Sequence, residues 1–314
     1  MKIGRVTAAI VAIAATLPYL TLKLMWLTGS SAGVADPALM HDATMVGLNT
    51  MTFAMDAVAL LLCLAFTMRW GMRLPAWLVL LPLWVGTGLL SMIVVVTPVQ
   101  FAVNGAAAFE TTGPIAPWVY AMVYGGFVTQ GVGLMVAFVL YARDRWPLVF
   151  TTTTAYGRPG PTRPFQLVVA WGSLAVATVV GVATLVLASG VMDALRGVLA
   201  IAAGVGLVAA VRGRGRLPYW IPVVTVWIGA GSMFAWSLYL EILLATGGPL
   251  GSGALPAPER LVGLFAMLTG LVMGLGGAFH LAERSGVGDV QAVQQPLEGE
   301  DREGDRQAAH HGHG

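Results

Sequence analysis

Eight long apolar segments constrain this chain more than any other feature of its sequence. Each contains about 20 residues or more with few charges, which is the length that a helix needs to cross the hydrocarbon core of a bilayer. The segments are 5–28, 44–67, 76–97, 117–142, 165–187, 191–211, 219–246 and 261–283. They predict an all-α fold, a polytopic membrane helix bundle with eight transmembrane helices.

Composition supports the lipid bilayer as the medium that surrounds these helices. Charged residues make up 10% of the 314 residues and hydrophobic residues 57%, whereas soluble domains carry about 25% charged residues. A water-soluble protein of this length could not bury so much apolar surface. We expect no nucleic-acid partner, because no basic patch with interleaved aromatic residues is present. We also expect no cofactor and no metal site, and the lone Cys63 excludes an intramolecular disulfide.

The positions of Lys and Arg predict the orientation in the membrane. All but three of the 17 basic residues lie at the two ends or in the loops after the second, fourth and sixth segments. Because cytoplasmic loops carry the excess of Lys and Arg, we predict a multi-pass protein of the cell membrane with both termini in the cytoplasm. A protein partner or a homo-oligomer is compatible with this arrangement.

An internal repeat is the most specific sequence pattern. The segment Arg73-Leu-Pro-Ala-Trp77, followed by Trp84-Val-Gly-Thr-Gly88, recurs 143 residues later as Arg216-Leu-Pro-Tyr-Trp220 and Trp227-Ile-Gly-Ala-Gly231. The spacing predicts a parallel 4+4 repeat whose halves are related by an axis along the membrane normal. The predicted organisation is a first four-helix repeat at 1–142, a cytoplasmic linker at 143–164, a second repeat at 165–284 and a disordered cytoplasmic tail at 285–314, where acidic and polar residues prevail.

Polar residues inside the apolar segments are the primary candidates for a functional site, because ionisable groups are costly in a membrane. Lys23 lies in the first segment, and Asp56 lies mid-way along the second with Asn49 two turns before it on the same face. Side chains lean toward the start of their helix, so Lys23 and Asp56 lean toward each other in depth. We predict a contact between them, direct or through water. It either fixes helix packing or couples to a substrate or proton.

Secondary candidates are weaker. Arg196 in the sixth segment and Glu241 in the seventh lie toward the outer ends of their segments and form a possible pair, with snorkelling of both side chains as the alternative. Gln130 lies beside a run of glycines in the fourth segment that is suited to helix contact. On the outer loops, Asp36, His41, Asp42 and Glu110 could supply acid–base or metal-binding groups, although a solvated loop explains them equally.

Several short segments resemble known membrane proteins. These are Leu17–Trp26 with Lys23, Met55–Ala59 with Asp56, Pro75–Leu80, and Trp84–Leu90. They are similar to multi-span integral membrane proteins of high-GC Gram-positive bacteria, a group without an established activity. The resemblance implies a membrane-embedded bundle and assigns no chemistry.

Three functions are compatible with these features. A transporter or channel for a small solute or ion predicts a water-accessible cavity that contains Lys23 and Asp56. A non-catalytic membrane subunit or scaffold predicts dry, structural ion pairs. A lipid-modifying enzyme predicts acid–base groups near Asp36, His41 and Glu110. The chain has no metalloprotease, hydrolase or P-loop motif, which favours a non-enzymatic role.

Overall fold

The fold was analysed in a computed structural model that describes residues 2–110, 113–156, 160–246 and 256–310, with side chains for all of these except Lys2 and 285–310. Within these ranges the regular secondary structure is helical, apart from two isolated β-bridges in the loops. The helices are α1 (Lys2–Leu27), α2 (Ala43–Thr67), α3 (Ala76–Asn104), α4 (Pro117–Arg145), α5 (Pro147–Thr151), α6 (Arg163–Val186), α7 (Val191–Arg212), α8 (Trp220–Thr246) and α9 (Ala257–His310).

Eight of these helices, all except the short α5, are long and apolar enough to cross a membrane. Each covers one of the eight apolar segments of the sequence completely or all but one of its residues, so the chain is an integral multi-span membrane protein. The largest differences in bounds concern α9, whose helical backbone continues past the predicted end at residue 283 to His310, and α3, which continues past residue 97 to Asn104 and includes Pro98. A 3-10 turn, Gly105–Phe109, follows directly.

The helices form two groups of four. In the first group α1 packs against both α2 and α4, and α3 packs against α4. In the second group α6 packs against α7 and α9, while α8 packs against α7 and α9. The two groups meet where α3 contacts α8, and this contact forms the seam of the molecule.

The seam is built from the residues of the repeated motif. The Trp84 indole Nε1 donates to the Trp227 carbonyl oxygen at 3.1 Å, and the Trp227 Nε1 donates to the Thr87 hydroxyl at 2.9 Å. Gly88 lies directly against Gly231, and a Cβ added to Gly88 would come within 2.4 Å of the Gly231 backbone. Because residues 84 and 88 meet residues 227 and 231 in the same order, α3 and α8 run parallel.

Loops at the two ends of the bundle are held by short backbone contacts. At the distal end, which holds the α1–α2 and α3–α4 loops, Val34 forms a β-bridge with Ile115. At the proximal end, which holds the N-terminus, the segment after α5 bridges to the start of α8 through Thr153 and Pro218. The predicted linker 143–164 therefore includes a short helix and is fastened to the second group of helices.

The tail was predicted to be disordered from residue 285. The backbone of α9 is helical as far as His310, whereas the side chains of 285–310 and all of 311–314 lie outside the described residues. Continuing a helix requires no new nucleation, and Gln, Glu, Arg and Ala are good helix formers. Disorder of this segment stays a prediction.

Candidate functional site

A cavity inside the first group of helices contains the primary candidate residues. Its volume is about 450 Å³, within the range of about 300–1,000 Å³ that is typical of small-molecule sites. It is bordered by α1, α2, α3 and α4 and by the distal half of α8. Lys23, Asn49, Asp56 and Gln130 all line it, and each is at most 6% exposed.

Lys23 is held at one end of this site by three neighbours. Its Nζ donates to the Asn49 Oδ1 at 2.6 Å, and it lies 4.9 Å from the centre of the Tyr19 ring and 5.2 Å from that of Trp26. Tyr19 and Trp26 are four residues before and three after Lys23, so helical geometry places all three side chains on one face of α1. The rings and the amide oxygen stabilise the ammonium group without a carboxylate partner.

Asp56 lies two turns further along α2 than Asn49. This corresponds to about 10 Å along the helix axis. Gln130 of α4 is within hydrogen-bonding reach of the Asp56 carboxyl group, but the buried Oδ2 has no hydrogen-bond partner among the described side chains and backbone. An unpartnered buried carboxylate oxygen is costly, so its presence beside a cavity indicates a place for a donor.

Lys23 and Asp56 do not form the direct ion pair that was one form of the predicted contact. The three salt bridges within 4.0 Å among the described residues join Arg5 to Asp144, Arg196 to Asp193 and Arg260 to Glu241. The two charged groups face the same cavity, and the Asn49 amide accepts from Lys23. Lys23 and Asn49 are thus in direct contact, whereas Lys23 and Asp56 line the same cavity without a salt bridge between them.

The rest of the cavity is mostly apolar and aromatic. Tyr120, Tyr124 and Phe127 line it from α4, and Trp236 and Tyr239 line it from α8. At the proximal end of the cavity, Leu62, Leu83 and Leu134 belong to a packed core that also contains Phe66, Val79 and Tyr141. At the distal end, Trp26, Met45 and Val119 belong to a second apolar cluster with residues of the α1–α2 loop. Apolar packing therefore borders both ends.

The predicted pair of Arg196 and Glu241 is wrong. Arg196 lies 3.9 Å from Asp193, three residues earlier on the same helix, and Glu241 accepts from Arg260 at 3.3 Å. Each side chain finds a nearer partner because Asp193 lies on the same face one turn away, and Arg260 lies near the start of α9 beside the end of α8. These are pairs at helix ends, not a site between helices.

Two carboxylates of the α1–α2 loop serve as helix caps, Asp36 for a 3-10 helix at Pro37–His41 and Asp42 for α2. Asp36 accepts from the backbone N–H of Ala38 at 2.9 Å, and Asp42 accepts from the N–H groups of Thr44 and Met45, both at 3.0 Å. Such caps stabilise the start of a helix. His41 and Glu110 are exposed. Among the described residues no group of three or more His, Cys, Asp and Glu side chains could hold a metal ion.

A second, partly buried polar cluster joins α6 to α9 at the proximal end. The Gln166 Oε1 lies 2.7 Å from the His280 Nδ1, and the Gln166 amide donates to Glu283 at 2.5 Å. The Thr162 hydroxyl also donates to Glu283, at 2.8 Å. Gln166 and His280 are 114 residues apart in the sequence, so no local sequence pattern predicts their contact. These hydrogen bonds tie the start of α6 to α9, and the buried His280 Nε2 has no hydrogen-bond partner among the described residues.

The chain matches no protein-family model, no curated protein and no solved structure. The resemblance to multi-span proteins of high-GC Gram-positive bacteria therefore stays a prediction, and function has to be inferred from the site itself.

Proposed function

We propose that this protein transports a small polar solute or ion, as a carrier or channel, and binds it in the cavity of the first four helices. The observation that supports the proposal is that a cavity of about 450 Å³ holds a buried lysine and a buried aspartate that do not neutralise each other by direct contact. Buried charges cost several kcal/mol each unless they are paired or solvated. A cavity that admits water and solute supplies that solvation.

The two alternative functions receive less support. A scaffold whose ion pairs are structural predicts dry, direct pairing of Lys23 with Asp56, and these residues instead border open space. A lipid-modifying enzyme predicts acid–base groups near Asp36, His41 and Glu110, but the Asp36 carboxylate is engaged as a helix cap, and neither His41 nor Glu110 lines the cavity.

The proposal also covers the orientation of the protein in the membrane and the evolutionary origin of its two groups of helices. The distribution of Lys and Arg supports cytoplasmic termini in the cell membrane, so the distal end would face outward. The hydrogen bonds between the two copies of the motif, from Trp84 to Trp227 and from Trp227 to Thr87, support a duplication of a four-helix unit in parallel orientation. In this view the first copy carries the solute site and the second supports it across the seam.

Access of water to the cavity tests the proposal. Cys63 is the only cysteine and is 2% exposed, so Cys63→Ala gives a background without reactive thiols. In this background, Thr52→Cys places a thiol in the cavity wall, and Thr50→Cys places one at nearly the same depth on an exposed face of α2 outside the cavity. Both variants are reconstituted in lipid nanodiscs and exposed to a charged, membrane-impermeant thiol reagent.

We expect the Thr52→Cys thiol to react roughly tenfold or more faster than the Thr50→Cys thiol, because only a hydrated thiol ionises to the reactive thiolate. Adding Gly86→Leu should slow the reaction at position 52, since Gly86 lines the cavity and a Cβ there meets no atom within 4 Å. Equal, slow labelling at both positions would show a dry cavity and refute transport through it.

A further inference from the structure

The charged groups of the cavity are arranged as two separate half-sites. The Lys23 ammonium can donate three hydrogen bonds; one goes to Asn49, and no carboxylate lies within 4.0 Å of it among the described residues. The Asp56 carboxylate retains a buried oxygen without a donor. The cavity therefore offers a cation with spare donors and, without a salt bridge to it, a free acceptor.

Each half-site is fixed in place by its own neighbours. Asn49 and the rings of Tyr19 and Trp26 hold Lys23, which opposes its extension toward Asp56. Gln130 reaches Asp56 from α4. Because separate contacts position the two groups, the distance between them is set by the fold, and a ligand can bridge them without first breaking an ion pair.

From this arrangement we propose that the cavity binds a small zwitterion, with its anionic group at Lys23 and its cationic group at Asp56. This inference rests on the cavity being the solute-binding site proposed above. A ligand with a single charge would neutralise one half-site and leave the other uncompensated, which is costly in a buried site. A zwitterion compensates both and adds no net charge.

The other side chains that line the cavity favour a zwitterionic ligand that also has an apolar part. Phe127, Leu89 and Ile93 border the cavity together with Trp236 and Tyr239 of α8. These side chains offer apolar contact and no charge, so an aliphatic or aromatic substituent gains free energy by leaving water. The expected ligand is a zwitterion with an apolar side group. Such chemistry occurs both in free amino-acid-like solutes and in zwitterionic lipid headgroups.

Thermal stabilisation of the purified full-length protein in detergent tests this class of ligand. A compound that binds the folded state stabilises it by RT ln(1 + [L]/Kd), so at equal concentration the tighter ligand raises the unfolding midpoint more. The probes are L-leucine, 4-methylpentanoate and 3-methylbutylamine, which share an apolar chain and differ in carrying both charges, only the anion or only the cation. Short-chain phosphatidylethanolamine and phosphatidylglycerol form a parallel arm that detects a lipid headgroup.

We expect either L-leucine or phosphatidylethanolamine to bind roughly tenfold or more tightly than the single-charge compounds of the same arm. The arm that shows this preference tells whether the ligand is a free solute or a lipid. Lys23→Met should abolish the tighter binding of L-leucine relative to 3-methylbutylamine. Asp56→Asn should abolish the tighter binding of L-leucine relative to 4-methylpentanoate. In the lipid arm, Asp56→Asn should abolish the advantage of phosphatidylethanolamine over phosphatidylglycerol. Gly172→Leu, at an exposed helical position with no atom within 4 Å of its Cβ, should change none of these.

The proposal is overturned if neither zwitterion binds better than the single-charge compounds of its arm, or if the advantage survives both charge substitutions. The thiol-labelling experiment separates this outcome from a failure of the proposed function. Fast labelling at position 52 without a zwitterion preference rejects only the ligand class, whereas slow labelling rejects the solute site as well.

Discussion

Gly86 and Gly229 occupy the same place in the two Trp-x-Gly-x-Gly segments, but their surroundings differ completely. A Cβ on Gly229 would lie 2.5 Å from the Leu199 carbonyl oxygen and 2.6 Å from the Ala203 Cβ. A Cβ on Gly86 would meet nothing within 4 Å. In the second group α7 therefore packs tightly against α8, whereas in the first group α2 stands apart from α3 and leaves the cavity.

The neighbouring helix, not the motif, explains this difference. The buried face of α7 is made largely of Gly and Ala, including Gly197, Ala200, Ala203 and Gly204, and small residues let helix backbones approach closely. The buried face of α2 carries larger and polar side chains, among them Met45, Leu48, Asn49 and Asp56. A cavity arises where a helix with bulky and polar side chains replaces one with small residues.

The strongest test of this contrast substitutes leucine at both glycines. Gly229→Leu should destabilise the protein by about 3 kcal/mol or more, because its Cβ meets backbone that cannot yield without moving α7. Gly86→Leu should cost less than about 1 kcal/mol, since the side chain enters the cavity. The thermal unfolding midpoint in detergent measures both. Equal losses would mean that α2 and α3 are as tightly packed as α7 and α8.

A smaller effect is expected at the seam that joins the two groups. Gly88→Ala places a Cβ within 2.4 Å of the Gly231 backbone and should destabilise by about 1–3 kcal/mol. Gly231→Ala should cost less, because its nearest contacts in the seam are at 3.0 Å and include the Trp84 side chain, which can shift. Gly172→Ala serves as the control on an open helix face. If Gly88→Ala behaved like Gly172→Ala in the same unfolding assay, the close contact of α3 with α8 would be wrong.

Substitutions at the charged pairs of the two groups should have effects that range from that of Gly88→Ala down to the smallest. Asn49→Ala removes the acceptor of the buried Lys23 and should cost about 1–3 kcal/mol. Glu241→Gln affects a pair whose Arg260 is 59% exposed, and surface pairs contribute little, so the change should stay below about 1 kcal/mol. Unfolding midpoints at two salt concentrations measure both. A larger loss at Glu241 than at Asn49 would reverse the assignment of the polar site to the first group.

The helices could be predicted from the sequence because length and hydropathy alone decide whether a segment can span a bilayer. The proximity of Lys23, Asn49 and Asp56 could also be predicted, because consecutive spans usually lie side by side. The direction in which each side chain leans along its helix sets the depth of its polar group in the membrane. The rings of Tyr19 and Trp26 around Lys23 were missed, although their spacing on α1 is a readable signal. Applying the same helical spacing to every ionisable residue would have found them.

The cavity and the second set of ion pairs could not be derived in this way. How far α2 stands from α3 depends on the packing of five helices at once, which no local pattern encodes. The partners of Arg196 and Glu241 were chosen wrongly because several charges lie at similar depths near the distal end. For long, flexible side chains, the nearest group on the same or the next helix is selected, and depth alone cannot rank these alternatives.

Two indole hydrogen bonds and a glycine-to-glycine backbone contact fasten α3 to α8. Rocking one set of four helices against the other would have to break all three at once. By contrast, α2 borders the cavity and stands apart from α3, so tilting α2 would break fewer packing contacts. If the site must open alternately to the two faces of the membrane, we expect α2 alone to tilt and open it, while α3 and α8 stay fixed relative to each other.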